Sequence, residues 1–478
     1  MSAETTRLAA PARFELGEVL AATRGELLHL GDRLHFPGVT TDTRAIEPGE
    51  VFVAIRGATH DGHDHVDEAV KRGAGVEIVE RAVERSDSDH PADCSVVTVR
   101  ESLAALGDLA AYHRRRRRQA QVLAVAGSNG KTTTKEMTAA ILREAFGADA
   151  VLHTRGTQNN LVGLPLTLLR LGASQRVAVL KLGMNGPGEV WRLAEIASPD
   201  VGVITCVAPE HLEGVGSLHG AAEAEAELFR RLRPSATAVV NADDPLVVAA
   251  ATAFPGRTVR FGTGGEVRAE GLVDHGLEGS TFQLCVDGER TEVRLPVAGR
   301  HNVGNALAAA ALASLAGTPL DATRRALERF EPPSMRMQVM RLAAGITVIN
   351  DAYNANPASM AAALQTLAAS AATRRIAVLG EMRELGDHTE AAHEELGRVA
   401  GATGLDLLIA IGPYAGLVRE AALAAGLPAD RVIVTTEHAE AGERLRAACR
   451  AGDLVLLKGS RGAALESVLS HLEPRETV

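Results

Sequence analysis

The chain has 478 residues, of which 46% are hydrophobic and 23% are charged, and its formal net charge is −10 at pH 7. A chain of this length exceeds what one hydrophobic core usually organises and indicates about three domains. The negative charge and an aromatic content of 3% argue against a nucleic-acid partner, because such partners need basic surfaces and stacking rings.

Cysteines and terminal segments exclude further classes of protein. The four cysteines show no Cys-x-x-Cys pair and no clustered histidines, so neither a disulfide framework nor a structural zinc site is predicted. The N-terminus lacks a signal-peptide pattern, and no apolar run approaches the roughly 18 residues of a membrane span. We therefore expect a cytoplasmic protein with no membrane span. Separately, we expect a monomer.

The first segment, residues 1–113, shows a mixed pattern of short strands and polar loops. Two of these loops, 41–44 and 61–64, flank a strand-like run at 51–55. They could bind a phosphorylated ligand, although an ordinary surface loop fits them equally well. The segment ends at a run of five arginines, 114–118. The run is either a polyanion-binding patch or, as we favour, a solvated helix end.

Residues 121–137, QVLAVAGSNGKTTTKEM, predict a strand, a glycine-rich loop and a helix. The loop is a short form of the phosphate-binding pattern, since Val125 stands where the longer form has its first glycine. Glycines let backbone N–H groups approach phosphates, Lys131 can reach the outer phosphates, and the Thr132 hydroxyl can bind Mg²⁺. A turn that only opens a helix is the alternative, but the strand before it and the Lys-Thr pair favour ATP binding.

The rest of the chain alternates strand and helix patterns. Apolar runs of strand length occur at 122–126, 177–182, 201–206 and 237–241, with helical stretches such as 161–171 and 221–232 between them. This alternation predicts βαβ units and a mostly parallel sheet with ligands at the carboxyl ends of its strands. Polar residues follow those ends, which places them beside the glycine-rich loop.

A similar alternation returns after Pro332, with strand-like runs at 346–351, 376–380, 407–411, 432–434 and 454–458. It is Rossmann-like in order but lacks a Gly-x-Gly-x-x-Gly fingerprint, so a dinucleotide is not indicated. The predicted fold class is α/β in three domains. They are a small mixed α/β domain (1–113), a P-loop-type parallel-sheet ATPase domain (114–331) and a Rossmann-like domain (332–478).

The order of motifs along almost the whole chain resembles the Mur ligase family. The matching segments are 41–44, 61–64, 127–137, 159–167, 182–185, 208–214, 299–302, 351–357, 380–382 and 458–462. Folylpolyglutamate synthases share the short glycine-rich loop but resemble this chain much less elsewhere.

The resemblance implies an ATP- and Mg²⁺-dependent amide ligase of peptidoglycan precursor synthesis, and thus of cell-wall formation and cell division. Among family members, the motifs favour the one that joins D-alanyl-D-alanine to UDP-N-acetylmuramoyl-tripeptide. ATP would phosphorylate the terminal carboxylate of the tripeptide, and the dipeptide amine would attack the acyl phosphate. The N-terminal domain would bind the UDP-sugar, and the C-terminal domain would bind the incoming dipeptide.

The resemblance also assigns roles to residues. Catalytic roles are implied for Lys131, His211, Arg336, Glu225 and Lys181, and metal binding for Thr132, His211 and Glu225. ATP binding is implied for Gly127, Ser128, Asn129, Gly130, Lys131, Thr132, Thr133, Asn305, Arg336 and Asp351. Substrate binding is implied for Thr41, Asp42, Arg44, His63, Asn159, Asn160, Asn354, Asn356, Ser460 and Arg461.

Two positions depart from the family pattern, and both belong to the implied metal site. Lys181 stands where the family carries a glutamate that binds Mg²⁺, and Glu225 stands where it carries a carbamylated lysine. Our hypothesis is that Lys181 and Glu225 form an ion pair that replaces one metal. A working enzyme whose Glu225 stands in for the carbamate is one alternative, and a weakened, nucleotide-binding paralogue is another.

Two further alternatives concern the protein as a whole. It could be a ligase with a different amine or UDP-peptide, or a non-catalytic binding homologue. Domain closure is expected in either ligase, because Arg336 and Asp351 have to approach a nucleotide held by Lys131. We expect that a static structure can show them far apart.

Overall fold

The computed structural model describes residues 12–57, 59–81, 92–342 and 344–472. Three α/β parts follow one another along the chain, as the sequence predicts. In the described part of the chain, no helix has the length and apolar character needed to cross a membrane.

The N-terminal part contains β1 Phe14–Glu15, α1 Leu16–Thr23, β2 Glu26–His29, β3 His35–Phe36, β4 Val39–Thr40, β5 Val51–Val53, α2 Val66–Lys71, β6 Val76–Val79, β7 Ser95–Thr98 and α3 Ser102–Arg116. Its five-stranded sheet has the order β2-β7-β6-β5-β4, and β1 pairs with β3 beside it. Strand β5 is buried throughout and has apolar side chains on both faces, as expected for a strand covered on two sides.

The arginine run at the end of α3 is partly structural. Arg114 is buried, and its guanidinium lies 2.8 Å from the Asp200 carboxylate. Arg116 lies 2.9 Å from Glu18. The run is therefore neither a free polyanion patch nor a wholly solvated helix end. The predicted boundary between residues 113 and 114 falls inside α3.

The central part contains β8 Gln121–Ala126, α4 Lys131–Phe146, β9 Val151–His153, α5 Gly163–Leu168, β10 Val177–Lys181, α6 Glu189–Ala197, β11 Val201–Ile204, α7 Leu212–Val215, α8 Leu218–Arg231, β12 Thr237–Asn241, α9 Pro245–Ala251, β13 Arg257–Phe261, β14 Arg268–Asp274, β15 Ser280–Val286, β16 Glu289–Leu295, α10 His301–Leu315 and α11 Leu320–Glu328. The six-stranded sheet has the order β13-β12-β11-β8-β10-β9 and is parallel throughout. Strands β14 to β16 form a separate antiparallel sheet.

The parallel register places the site. Strand β8 lies between β10 and β11, with Lys181 opposite Val125 and Ile204 opposite Ala126. The glycine-rich loop leaves the carboxyl end of β8, so the residues that end β10 and β11 lie on either side of it. This is where the βαβ pattern predicts a ligand.

The C-terminal part contains β17 Gln338–Arg341, β18 Thr347–Asp351, α12 Pro357–Ala369, β19 Arg374–Leu379, α13 Thr389–Ala402, β20 Leu407–Ile411, α14 Ala415–Ala424, β21 Val432–Thr435, α15 His438–Ala448, β22 Asp453–Lys458 and α16 Glu466–Leu469. Its sheet has the order β17-β18-β22-β19-β20-β21. Only β17 pairs in the antiparallel sense among these described strands. Asp351 and Lys458 end adjacent strands and face the central part.

Candidate active site

A cavity of about 840 Å³ lies between the central and C-terminal parts. Most of the predicted nucleotide-binding residues line it. The predicted site residues in its wall are Ser128, Asn129, Gly130, Lys131, Thr132, Thr133, Asn159, Asn160, Lys181, His211, Asn305, Arg336, Asp351, Asn354 and Asn356. Those outside its wall are Gly127, Glu225, Ser460, Arg461, Thr41, Asp42, Arg44 and His63.

The glycine-rich loop needs glycine at two positions. Gly127 has φ +115° and Gly130 has φ +83°, which are conformations that side chains rarely adopt. A Cβ on Gly130 would lie 2.2 Å from Asn305 Oδ1, and one on Gly127 would lie 2.3 Å from Thr205 Oγ1. The loop is thus pressed against neighbouring polar side chains, and α4 begins directly after it with its N-terminus toward the cavity.

Lys131 lies among acidic groups. Its Nζ donates to Glu210 Oε2 at 3.1 Å and to the Ser128 carbonyl at 3.0 Å. Burial lowers the pKa of Lys131, but the Glu210 and Glu225 carboxylates outweigh burial and raise it. The lysine therefore carries its charge before a nucleotide arrives.

Glu225 supports the glycine-rich loop from behind. It is buried, and its Oε2 accepts a hydrogen bond from the Gly127 N–H at 2.7 Å. Burial raises the pKa of this carboxyl group to about 7. Glu225 thus holds the backbone of the loop at Gly127, and its own side chain does not line the cavity.

The Thr132 hydroxyl lies between two cationic side chains. Lys181 Nζ and an Arg336 guanidinium nitrogen each donate to Thr132 Oγ1 at 3.3 Å. Lys181 Nζ also donates to the Gly156 carbonyl at 3.4 Å. Burial lowers the pKa of Lys181 to about 7, and the charges of Arg336, Lys131 and Lys135 add to the effect.

The hypothesis of an ion pair between Lys181 and Glu225 is wrong for this structure. Lys181 is directed to the Thr132 hydroxyl and Glu225 to the Gly127 backbone. The two positions belong to β10 and α8, and the hydrogen bonds of each side chain go to a different residue of the glycine-rich loop region.

Arg336 reaches the cavity from a strained backbone segment. Met335 and Met337 on either side of it have φ +59° and +49°, a conformation that costs of order 1–2 kcal/mol for a residue with a side chain. The guanidinium lies 4.1 Å from the centre of the Tyr353 ring. Its Nε is buried and has no hydrogen-bond partner among the described residues, which leaves a donor for a ligand.

The C-terminal part touches the glycine-rich loop directly. Asn356 Nδ2 donates to Asn129 Oδ1 at 2.9 Å, while Asp351 accepts from Lys458 Nζ at 2.6 Å. The Asn356–Asn129 bond and the Arg336–Thr132 contact cross between the two parts and describe a closed arrangement, whereas the Asp351–Lys458 pair lies within the C-terminal part. The expected separation of Arg336 from the loop is therefore not observed.

His211 lies at the edge of this cluster. Its backbone is in the left-handed region, with φ +53°, and its Nδ1 lies 2.5 Å from Glu384 Oε2. Burial lowers the pKa of the imidazole, but the Glu384 and Glu210 carboxylates outweigh it and raise the pKa. In this arrangement Nδ1 faces Glu384, and Nε2 lies 3.6 Å from Glu210 Oε1.

The predicted metal ligands do not form a metal site in this structure. Within the described ranges, no group of three or more His, Cys, Asp or Glu side chains could hold a metal ion. Thr132 is flanked by cations, His211 faces Glu384, and Glu225 is bonded to the loop backbone. The donor set does not fit a protein-held Mg²⁺.

The predicted UDP-binding residues lie in the N-terminal part, away from the cavity. Arg44 is exposed and its guanidinium lies 2.8 Å from Asp42 Oδ2. His63, by contrast, is buried, with Nδ1 2.6 Å from Asp61 and Nε2 accepting from the Glu80 N–H at 2.9 Å. Neither ring nitrogen is left for a ligand, so the fold accounts for this histidine.

Several predicted substrate residues have structural partners. Ser460 Oγ accepts from the Arg383 N–H at 2.9 Å, and Arg461 pairs with Glu466. Asn160 Oδ1 accepts from the Gly163 N–H at 2.9 Å, at the start of α5. Of these three residues only Asn160 lines the cavity.

Sequence reasoning missed three residues of the site, which are Glu210, Tyr353 and Lys458. Each belongs to a segment singled out by its motif, at 208–214, 351–357 and 458–462. The signal was therefore present, but a motif does not say which of its side chains will face an ammonium or a guanidinium in another domain.

A P-loop on a parallel sheet, closed over by an arginine from a following α/β domain, defines a class of ATP-dependent ligases. Family models match three stretches: "Mur ligase family, catalytic domain" at 35–114, "Mur ligase middle domain" at 125–313, and "Mur ligase, glutamate ligase domain" at 335–461. The chain belongs to the Mur ligase family.

Several relatives carry the name of one ligase of the family. The UDP-N-acetylmuramoyl-tripeptide–D-alanyl-D-alanine ligase of Escherichia coli (strain K12) is 36% identical over 97% of this chain and 99% of its own length. The crystal structure of MurF from Acinetobacter baumannii is 32% identical, covers 97% of this chain and 99% of its own, and has a TM-score of 0.87. MurF from Thermotoga maritima in complex with ADP is 27% identical, covers 91% and 96%, and has a TM-score of 0.79.

Proposed function

We propose that this chain is the ATP-dependent ligase that joins D-alanyl-D-alanine to UDP-N-acetylmuramoyl-tripeptide in peptidoglycan precursor synthesis. The observation that carries the proposal is the meeting of Lys131, Arg336 and Asp351 at one cavity, in a member of the Mur ligase family. The names of its relatives point to the same reaction.

The cavity suits a carboxylate-activating phosphoryl transfer. A carboxylate oxygen of the tripeptide attacks the γ-phosphorus of ATP, ADP leaves, and an acyl phosphate forms. The dipeptide amine then attacks the acyl carbon, inorganic phosphate leaves, and the nitrogen gives up one proton. Lys131 and Arg336 place positive charge where the phosphoryl oxygens carry negative charge, which stabilises the transition state more than the ground state.

Nucleotide contacts are assigned to the glycine-rich loop and to two residues that line the cavity. The backbone of residues 127–133 holds the phosphates, Asp351 contacts the ribose and Asn305 lies on the adenine side. Mg²⁺ brought by ATP would supply further neutralisation of phosphate charge. Thr132, His211 and Glu225 would not hold it in this arrangement, because their side chains are engaged by other residues.

The other assignments follow the three parts of the fold. Domain 1–113 binds the UDP-sugar through Thr41, Asp42 and Arg44, domain 114–331 binds ATP, and domain 332–478 receives the dipeptide through Asn354 and Asn356. A cytoplasmic monomer fits a reaction that draws on ATP and a nucleotide-linked sugar.

ADP release by the full-length chain tests the proposal. With MgATP, the UDP-tripeptide and D-Ala-D-Ala, we expect one ADP per pentapeptide product, and hydroxylamine in place of the dipeptide should trap the acyl phosphate as a hydroxamate. L-Ala-L-Ala is the matched amine control. Turnover with another amine or UDP-peptide would indicate a paralogue. Nucleotide binding without turnover on any of them would indicate a non-catalytic homologue.

The UDP site has its own test. Arg44→Met should raise the KM for the UDP-tripeptide without changing ADP affinity, because Arg44 is exposed and lies outside the cavity. Arg290→Met, which removes an exposed arginine of β16 that pairs with Glu270, is the control. An unchanged KM in Arg44→Met would remove Arg44 from the substrate site.

A further inference from the structure

The Thr132 hydroxyl is the one P-loop side chain whose surroundings contradict the metal site that the family resemblance implies. A Mg²⁺ ion bound there needs a free lone pair on the hydroxyl and at least one anionic oxygen beside it. The hydroxyl oxygen instead accepts hydrogen bonds from Lys181 Nζ and from Arg336, both at 3.3 Å. Two donors occupy the two lone pairs that a hydroxyl offers.

The position of Lys181 is fixed by the sheet. It is the last residue of β10 and lies opposite Val125 of β8, two residues before Gly127. Its backbone N–H donates to Thr154 Oγ1 at 3.0 Å, and its Nζ is also held by the Gly156 carbonyl. Lys181 is buried and still lines the cavity, so its ammonium is held toward the nucleotide site by the fold.

Nearby charges are mostly positive. Lys135, one turn further along α4 than Lys131, donates from Nζ to the Thr154 carbonyl at 2.7 Å and pairs with Glu136. Arg336 approaches from the other side. The neighbouring charges that act most strongly on Lys181 are those of Arg336, Lys131, Lys135 and Glu136, of which the first three are positive.

We propose that the Lys181 ammonium takes the place of a protein-held divalent cation beside Thr132. A tethered monovalent cation then faces the nucleotide phosphates, together with Lys131 and Arg336. This inference rests on the proposed ATP-dependent function. It adds that nucleotide binding by the protein does not depend on a protein-bound Mg²⁺.

The anionic oxygens of a nucleotide complete this arrangement. An ammonium near a phosphate supplies charge neutralisation without the strict octahedral geometry of Mg²⁺. Lys181 and Arg336, which both donate to Thr132, repel one another in the absence of an anion, and a phosphate group would relieve that repulsion. The carbonyl and hydroxyl that hold Nζ are neutral, so they orient the ammonium without cancelling its charge.

Calorimetry with AMP-PNP tests the inference on the full-length protein. We expect the wild-type affinity in EDTA to lie within about threefold of that in MgCl2, since Lys181 supplies the charge in either case. Lys181→Glu should bind at least about 100-fold more weakly in EDTA and recover in MgCl2, because a carboxylate repels phosphates until a divalent cation joins them. Lys71→Glu, an exposed change of equal charge on α2, should behave like the wild type.

Mn²⁺ uptake measured by electron paramagnetic resonance gives a second readout without nucleotide. The wild type should take up no stoichiometric Mn²⁺, whereas Lys181→Glu should take up about one equivalent. The wild-type comparison needs no variant, so a variant that fails to fold leaves the test intact.

Three results would overturn the inference alone: a wild-type affinity that falls more than threefold in EDTA, one Mn²⁺ bound by nucleotide-free wild type, or a carbamate on Lys181 in ¹³C NMR with labelled bicarbonate. Failure to bind AMP-PNP under both conditions would instead overturn the proposed function, and this inference with it.

Discussion

Asn356 of the C-terminal part donates from Nδ2 to Asn129 Oδ1 of the glycine-rich loop at 2.9 Å, although 227 residues separate the two. The same Asn356 caps α12, since its Oδ1 accepts from the Ser359 N–H at 2.9 Å. One side chain therefore fixes the start of a helix and joins that helix to the loop that would hold the phosphates.

Asn356→Asp separates these two roles. An aspartate keeps the cap, because carboxylate oxygens accept from helix N–H groups, but it loses the donor to Asn129. We expect an unchanged melting temperature and a ligase kcat lowered about tenfold, since the closed arrangement loses a bond between domains.

Asn356→Ala is the matched comparison and should also lose about 1 kcal/mol of stability with the cap. Thermal unfolding and steady-state kinetics on both variants measure the two effects. Full activity in Asn356→Asp would show that the bond to Asn129 does not contribute to closure.

Arg336 should act in the chemical step. Its guanidinium bonds Thr132 at 3.3 Å, lies over Tyr353 and keeps a free Nε, which is the arrangement of an arginine that meets a γ-phosphate. Arg336→Met should lower kcat by about 10³-fold and change ADP affinity by less than about threefold, because ADP lacks the γ-phosphate.

The control for Arg336→Met is Arg341→Met, an exposed arginine on β17 that pairs with Glu278. It should leave kcat and ADP affinity unchanged. Equal losses in the affinities for ADP and for AMP-PNP would show that Arg336 binds the nucleotide uniformly instead of stabilising the transferring group.

Much of the fold could be predicted because parallel strands leave a clear pattern. The apolar runs at 237–241 and 407–411 coincide with β12 and β20, since strands buried on both faces read as continuous apolar segments. The helical stretch predicted at 161–171 contains only the short α5, Gly163–Leu168. Strands β14 to β16 did not stand out, because these three antiparallel strands mix buried and exposed positions and contain no long apolar run.

The site could be predicted only in part, and the limit is physical. Lys131 and Thr132 follow from local loop geometry, which the sequence contains. The contact of Lys181 with Thr132 depends on the register of β10 against β8, and that of Arg336 depends on how a separate domain closes. The prediction of an ion pair between Lys181 and Glu225 was wrong because opposite charges in a sequence do not show where the two side chains point in the fold.

Lys131→Met should weaken ATP binding and slow phosphoryl transfer. Its loss takes the ammonium from the phosphates and leaves Glu210 without its 3.1 Å partner, so both binding and catalysis suffer. We expect kcat/KM for ATP to fall by about 10²–10³-fold, measured by coupled ADP release. Lys71→Met on α2 is the control. Normal turnover in Lys131→Met would contradict the assignment of the loop.

His113 should make the protein sensitive to acid. It is buried in α3, where its Nε2–H donates to the Leu171 carbonyl at 2.8 Å. Burial lowers the pKa of His113 to about 4, from an ordinary value of 6.5. The pKa of His113 is lower in the folded protein than in the unfolded chain. The contribution of the neutral imidazole to the stability of the fold is therefore fully present above pH 6.5 and is lost as the pH falls toward 4.

The expected loss from His113 is about 1.4 kcal/mol at pH 5.5 and up to about 3 kcal/mol near pH 4. His113→Gln keeps a donor for the Leu171 carbonyl but cannot gain a proton in this range. Chemical denaturation at pH 7.5, 5.5 and 4.5 should therefore show a smaller decrease in the free energy of unfolding at acid pH in this variant than in the wild type. His219→Gln, a change at an exposed histidine, should not lessen this decrease. If the free energy of unfolding fell equally with pH in the wild type and in His113→Gln, the acid sensitivity would come from other groups, because the two proteins differ only in the side chain at position 113.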